Sequence, residues 1–340
     1  MMKSTYLGAR FTGNKIIAMN EMPIPVPGPG QLLIKVKANA LCGSERGQYM
    51  YGSAVTPGHE AAGIVADAGA GTAVKPGTPG VVYLMDFCGS CRSCKLGFTN
   101  QCLNKRGDMG FNRNGGYGQY MLVSENIFYT VDEGLDLTEA TLLLDIMGTG
   151  GHALERGLLV HPDIQSVAIA GAGPIGLGVL VMAKLLLGEK VPVVISDTVP
   201  YRLELARKLG GIPIDALKET LKDGLEKIGL AGADLAADTS GKTIARKSCL
   251  EALDKRGVLV CVGHGEGLGI DVSKELIEPE RSVLGSEYFR YGELNRNMRL
   301  LLQNREYITR IITHRFPLEN IQEAFELFFA GSTGKVVIEQ

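Results

Sequence analysis

Between Ser166 and Val262 the chain keeps returning to one pattern, a short apolar run followed by an amphipathic stretch of helical length. The runs Ser166 to Ala170, Val191 to Ser196, Asp234 to Ala237 and Val258 to Val262 read as strands, and Pro174 to Leu187, Pro200 to Leu209 and Thr243 to Leu253 as helices. Strands that are apolar throughout, instead of alternating with polar residues, must be covered on both faces. Their alternation with helices predicts a parallel sheet wrapped by helices, because parallel neighbours can be joined only by a long crossover. No other feature restricts the possible folds as much.

The flanking regions have a different texture. Gln31 to Ala38 follows Gly30, and Gly63 to Ala66 and Gly80 to Leu84 follow glycine-proline signals, so short strands punctuated by turns are expected, with Pro23, Pro25, Pro27 and Pro29 as a rigid lead-in. Glycine accounts for 45 of 340 residues with no fixed period, which implies many tight turns. Beyond Ser282 to Gly285, helices around Leu294 to Gln303 and Ile321 to Phe329 and a strand from Lys335 to Glu339 form a tail expected to return to the N-terminal part.

The first strand of the repeating region runs directly into Gly171-Ala172-Gly173-Pro174-Ile175-Gly176 and then a helix. In that context Gly171 permits the tight turn, Gly173 lets the backbone approach a pyrophosphate, and Gly176 allows close helix–sheet packing, while the helix N-terminus offers free N–H donors. The second strand ends in Asp197, where an acid receives the adenosine ribose hydroxyls and repels a 2′-phosphate, so NAD is expected over NADP. The expected cofactor-binding set is Gly171, Gly173, Pro174, Ile175, Gly176, Asp197 and Arg202.

Four of the seven cysteines, Cys88, Cys91, Cys94 and Cys102, fall in one polar loop with the spacing C-x2-C-x2-C-x7-C. That spacing brings four thiolates to one point, as a closed, structural Zn²⁺ site requires. Disulfides are the weaker alternative, since disulfide frameworks belong to small secreted chains. The segment Met1 to Thr12 has no apolar core before a small-residue cleavage site, and the most hydrophobic stretch, Val179 to Leu187, is too short to span a bilayer, so a cytoplasmic location is expected. A net charge of -2 with 45% apolar and 21% charged residues provides no basic footprint for nucleic acid or membrane. A small, neutral ligand is the expected partner.

A second cluster lies upstream, Cys42-Gly43-Ser44-Glu45 and Pro57-Gly58-His59-Glu60. Cysteine and histidine are zinc ligands, but spacing alone does not establish a site here. Taken with the four-cysteine loop, Asn114-Gly115-Gly116-Tyr117-Gly118-Gln119-Tyr120 and the late glycine motif, however, this order of motifs resembles the zinc-dependent medium-chain alcohol and polyol dehydrogenases along essentially the whole chain. The resemblance implies an α/β protein: a GroES-like, mostly-β catalytic domain over residues 1–147 and 288–340, and a Rossmann doubly wound parallel-sheet domain over 148–287. It implies two zinc ions per chain and NAD. Cys42 and His59 would bind a catalytic zinc, with Glu60 as a close or exchanging ligand and Asp145 as the third.

The same resemblance makes Ser44 the hydroxyl that passes the substrate proton away. It gives Glu45, standing where an aspartate is usual, the task of orienting His59. Many relatives carry a relay histidine where this chain has Gly47. Arg46, Gln48, Tyr49, Tyr51, Glu287, Tyr288 and Arg290 are expected near the pocket mouth and favour a sugar, polyol or cyclitol, with a threonine-like amino alcohol second. Phe289-Arg290-Tyr291 and residues 313–319 are similar to sorbitol dehydrogenases, and residues 112–116 with Asp145 to threonine dehydrogenases. A redox-neutral, NAD-retaining epimerase or lyase and a non-catalytic NAD or metal sensor remain as rivals. The family resemblance also implies a homodimer or homotetramer. His152, His161, His264 and His314 are expected to be structural or surface groups, with an approach of His152 to the cofactor cleft as the alternative. Cys249 and Cys261 are expected in the core.

Overall fold

The computed structural model describes residues 5–340. The opening of the Met1 to Thr12 segment therefore lies outside the described residues, and from Thr5 onward that segment is strand. The strands are β1 Thr5–Gly13, β2 Ile16–Pro23, β3 Gln31–Ala40, β4 Ala61–Ala68, β5 Pro79–Val82, β6 Met85–Asp86, β7 Gly107–Asp108, β8 Tyr120–Ser124 and β9 Phe128–Thr130. They continue as β10 Val167–Ala170, β11 Val193–Asp197, β12 Ile212–Asp215, β13 Ala233–Asp238, β14 Leu253–Cys261, β15 Ser282–Gly285, β16 Ile312–Pro317 and β17 Lys335–Glu339.

The repeating region forms one six-stranded sheet in the order β12-β11-β10-β13-β14-β15, parallel throughout. Numbered by appearance within the sheet, this is 3-2-1-4-5-6, the doubly wound dinucleotide-binding order, whose direction of winding reverses between β10 and β13. β10 is buried at all four residues, as its uninterrupted apolar sequence requires.

The remaining large sheet is mixed, with order β16-β17-β3-β4-β5-β9 and β8 also paired to β3. β17 lies antiparallel to β3, so the tail completes a sheet begun some three hundred residues earlier. A continuous core joins the two sheets through Leu142 to Met147 and the helix Pro174–Leu186. Backbones meet closely here: a Cβ at Gly178 would stand 2.5 Å from the Ile146 carbonyl oxygen, and one at Gly150 would stand 2.6 Å from the Gly178 carbonyl carbon. Side chains at these glycines would wedge the junction apart.

Three local differences from the sequence expectation have identifiable causes. The helix expected over Thr243 to Leu253 stops at Glu251, because Leu253 already pairs with Ala233, making β14 longer than the expected Val258 to Val262 run. The strand expected through Leu84 ends at Val82, and Met85–Asp86 pairs separately with Gly107–Asp108. The β1–β2 hairpin turns at Asn14 and Lys15, both left-handed with φ of 53° and 63°, a primed turn that matches strand twist even without the usual glycine.

Candidate active site and metal centres

The glycine loop lies at the carboxyl end of β10. Gly171 has φ of +97°, Gly173 faces open space where a Cβ would meet nothing within 4 Å, and a Cβ at Gly176 would stand 1.8 Å from the Gly171 carbonyl oxygen. The first glycine thus makes the turn, the second leaves room for a ligand and the third permits contact. Pro174 opens the helix, where its missing N–H has no partner to lose, and Ile175 follows it. At the end of β11, Asp197 accepts hydrogen bonds from Ala172 N at 2.7 Å and Val199 N at 2.9 Å. Arg202 Nη1 stands 3.8 Å from the same carboxylate, and its buried Nε has no partner among the described residues. The open cradle at Gly173 and the acid beside it fit a dinucleotide.

Across the reversal point, Thr239 donates to the backbone carbonyl of the glycine loop and fully buried Asp238 accepts from Ser240 N, Gly241 N and Arg246. Sequence reasoning missed this second loop, which carries no glycine signature of its own. A cavity of about 850 Å³ opens at the ends of β14 and β15, with Val262, Gly263 and Ser286 on one side and Asn100 and His152 on the other. Crevices in open parallel sheets lie beyond the carboxyl ends of the strands in this way.

In the cysteine loop the four sulfurs lie within 4.8 Å of one another, and none forms a disulfide. Backbone N–H groups of Cys91, Cys88 and Leu103 point at the sulfurs of Cys88, Cys102 and Cys91 at 3.2 to 3.4 Å. Such donors favour thiolate: the Ser90 and Cys91 backbone pulls Cys88 down to about 6, while burial and then the neighbouring Cys91 and Cys102 push Cys94 up to about 12. The loop is a nest for negative sulfur, and its donor set fits a closed tetrathiolate zinc site.

The other cluster is assembled from distant segments. Cys42 follows β3, His59 ends a turn made by Gly58 with φ of +101°, Glu60 precedes β4, and Asp145 opens a π-helical turn, Asp145–Thr149. π-turns recur at functional sites because they re-aim one side chain within a helix. Cys42 Sγ is 3.1 Å from Asp145 Oδ2, which is 3.4 Å from His59 Nε2. One donor atom from each of Cys42, His59, Glu60 and Asp145 falls within 4.8 Å of the others, and all four residues are buried.

Glu45 Oε1 lies 3.1 Å from His59 Nδ1, and Oε2 accepts from Tyr117 Oη at 2.7 Å. On the other flank the Lys335 ammonium pairs with Glu60 Oε1 and donates to Leu41 O, with both side chains fully buried. Glu60 Oε2 is buried without a partner among the described residues.

The electrostatics follow from these contacts. Burial would lower the His59 imidazole, but hydrogen bonds to Asp145, Cys42 and Glu45 hold it well above its ordinary value. Burial would raise Asp145, yet His59 and Lys335 bring it down to about 2. Burial and then the Asp145 carboxylate push Glu60 up to about 8 against the pull of Lys335. Burial, and secondly Glu45, hold the Tyr117 hydroxyl well above its usual value, so it donates. Two carboxylates, a thiol and an imidazole packed this tightly, with an orphaned carboxylate oxygen, fit a divalent cation.

Other expected site residues are dispersed. Ser44 is exposed beside the cluster, and a Cβ on Gly47 would meet nothing within 4 Å. Tyr49 is not at a pocket mouth but buried among Phe11, Phe325 and Phe329. Tyr288 is likewise buried against Tyr83 and Phe289, whereas Glu287 and Arg290 do line the cavity at the ends of β14 and β15, with Arg290 paired to Glu155 and Glu293. Arg46 and Tyr51 remain exposed, and Gln48 donates to Gly110 O. His152 is a buried partner of Glu293 at 2.9 Å. His152, Glu155 and Glu293 also converge, but Arg290 and Arg296 already meet their charge. Phe111, unnoticed in the sequence, lies 5.1 Å from the His59 ring.

Known proteins share this fold. Residues 28–133 match the alcohol dehydrogenase GroES-like domain and residues 174–303 the zinc-binding dehydrogenase domain. An L-threonine 3-dehydrogenase of Mesorhizobium japonicum is 33% identical over 340 residues, covering 95% of each chain. The chain belongs to the zinc-dependent medium-chain dehydrogenase family. Like other members of this family it is an oxidoreductase of the zinc-type alcohol dehydrogenase kind. Among solved structures, one described as a short chain alcohol dehydrogenase from E. coli CFT073 complexed with NADH superposes with a TM-score of 0.88 at 21% identity over 99% of this chain and all of that one. A Sinorhizobium meliloti structure bound to NADP has a TM-score of 0.85 at 27% identity over 99% of this chain and 100% of the other. No helix among the described residues is long and apolar enough to cross a membrane.

Proposed function

We propose that this dehydrogenase oxidises a secondary alcohol of a hydroxylated small molecule, a sugar, polyol or cyclitol, with NAD as hydride acceptor. The observation that carries the reading is the convergence of Cys42, His59 and Asp145 beside exposed Ser44. Those three side chains would hold the catalytic zinc, with Glu60 kept at the edge of the set by Lys335. When bound, zinc polarises the substrate oxygen and NAD accepts the hydride.

The protein's own groups do the rest. Glu45 holds His59 Nδ1, leaving Nε2 directed at Cys42 and Asp145. Ser44 Oγ receives the hydroxyl proton and passes it to water in the open space beside Gly47, where no imidazole stands. Asp197 favours the free ribose hydroxyls of NAD over a 2′-phosphate, with Arg202 next to it. Cys88, Cys91, Cys94 and Cys102 would hold the structural zinc. Residues 1–147 with 288–340 form the catalytic domain and 148–287 the nucleotide domain in this reading, which places the enzyme in the cytoplasm as a homo-oligomer.

The threonine dehydrogenase relatives favour a second reading, an amino alcohol as substrate. A screen of polyols, sugars, cyclitols and threonine for NADH absorbance, with zinc analysis on the same sample, separates the two. Two zinc equivalents and NADH formation with a polyol support the first reading, and NADH formation with threonine alone supports the second. Product without released NADH assigns a redox-neutral reaction. A zinc-free protein that binds no NAD refutes the proposal.

A further inference from the structure

The turn carrying His59 is zipped to the segment before β8. Gly115 N donates to Thr56 O at 2.6 Å, Gly116 N to Gly58 O at 2.8 Å and Tyr117 N to Pro57 O at 3.0 Å. This backbone pairing places the Tyr117 side chain against Glu45, on the side away from His59. The Tyr117 hydroxyl donates to Glu45 Oε2 at 2.7 Å, and Cys42 N donates to the same oxygen at 3.3 Å. The remaining oxygen, Oε1, faces His59 Nδ1 at 3.1 Å.

All three side chains are buried, Glu45 and Tyr117 completely. The Tyr117 ring is stacked on Phe11 at 6.1 Å and set edge-on to Phe325 at 5.6 Å, so its hydroxyl has a fixed address. Glutamate has a rotatable bond that aspartate lacks, and its carboxylate would otherwise turn among several orientations. A second, rigidly held donor on the far oxygen removes that freedom and leaves one oxygen for the imidazole.

Resting on the metal-centre reading above, we propose that Tyr117 is a positioning residue for that centre: its hydroxyl locks the Glu45 carboxylate, and through it the orientation and tautomer of His59. Glu45 and Tyr117 form a matched pair in which the longer acid is useful because the hydroxyl pins it.

The test uses zinc-loaded full-length protein and follows transfer of each zinc equivalent to a chelator, together with the visible spectrum after cobalt substitution. Tyr117→Phe keeps the ring but deletes a buried hydrogen bond to a carboxylate, so the melting temperature falls modestly while the cysteine-bound equivalent stays as in wild type. The second equivalent is lost about tenfold faster and its cobalt bands shift, as expected when the carboxylate orienting a ligating histidine is disturbed. In a Glu45→Asp background the same substitution adds less than about twofold, because the shorter acid does not span both partners. Retention of both metals at the wild-type rate by Tyr117→Phe overturns the proposal, as does an equal effect of the substitution in both backgrounds. A wild-type protein that takes up only one zinc overturns the metal-centre reading itself and this proposal with it.

Discussion

The two cysteine-containing clusters are built in opposite ways. Cys88 to Cys102 lie within fifteen consecutive residues, all four cysteines partly exposed, and their polar environment is supplied by the loop's own backbone. Cys42, His59, Glu60 and Asp145 are buried and come from the end of β3, a turn before β4 and a π-turn, with Lys335 from β17 and Tyr117 from the segment before β8. The first cluster is a property of a segment and the second of the whole fold. A ligand removed from the loop should therefore cost local order, whereas one removed from the buried cluster should cost chemistry and unbalance neighbouring charges.

The largest effect expected from that contrast is on turnover. His59→Ala should lower kcat/KM by on the order of 10³-fold, the scale of losing metal assistance, with loss of one zinc equivalent and no activity recovered in the folded fraction. Cys94→Ser should do the reverse, losing a zinc equivalent and thermal stability while the folded fraction turns over as before. Steady-state kinetics with metal analysis check both, and a Cys94→Ser enzyme that is inactive yet melts normally would erase the distinction.

Next comes Lys335→Met. Glu60 is then left buried without its cation, which should cost about 3–5 kcal/mol in urea denaturation. Adding Glu60→Gln should recover much of that loss, and failure to recover would show that Lys335 packs more than it pairs.

The smallest effect belongs to a buried ion network outside the metal centres. Burial would raise Glu293, but hydrogen bonds and charge from His152 and Arg290 bring it below the ordinary glutamate value of 4.5. Its stabilisation is therefore complete above that value and fades as pH falls through the lower folded pKa. Glu293→Gln should flatten the acid side of the stability profile in thermal melts from pH 6 to about 3. An unchanged slope would place the acid sensitivity elsewhere.

What was legible in the sequence follows the same division. The parallel sheet, the glycine loop and the cysteine loop are signalled by residues close in sequence; the loops and four strands of the sheet appear with only small shifts of boundary, while the edge strands β12 and β15 were not read as strands. Cys42, His59 and Asp145 were reached through family resemblance, since spacing cannot reveal that residues on three separate segments meet. Lys335 and Tyr117 were missed as members of the site because only the β17–β3 pairing and the zipper at residues 115–117 bring them there. Tyr49 and Tyr288 were expected at a pocket mouth because tyrosine carries a polar tip, but its ring area was used in aromatic packing. Asn14 and Lys15 gave no glycine signal for the first hairpin, which nevertheless closes through two left-handed residues.

The late pairing of β17 with β3 also imposes an order in time. During synthesis the nucleotide-binding sheet is complete once β15 has emerged, but the chain up to Gly334 still lacks the lysine that faces Glu60. Until the last strand arrives, the acid lies in a half-built pocket open to water. The nascent chain is thus expected to fold from its middle outward, with the metal pocket closed only once β17 has emerged.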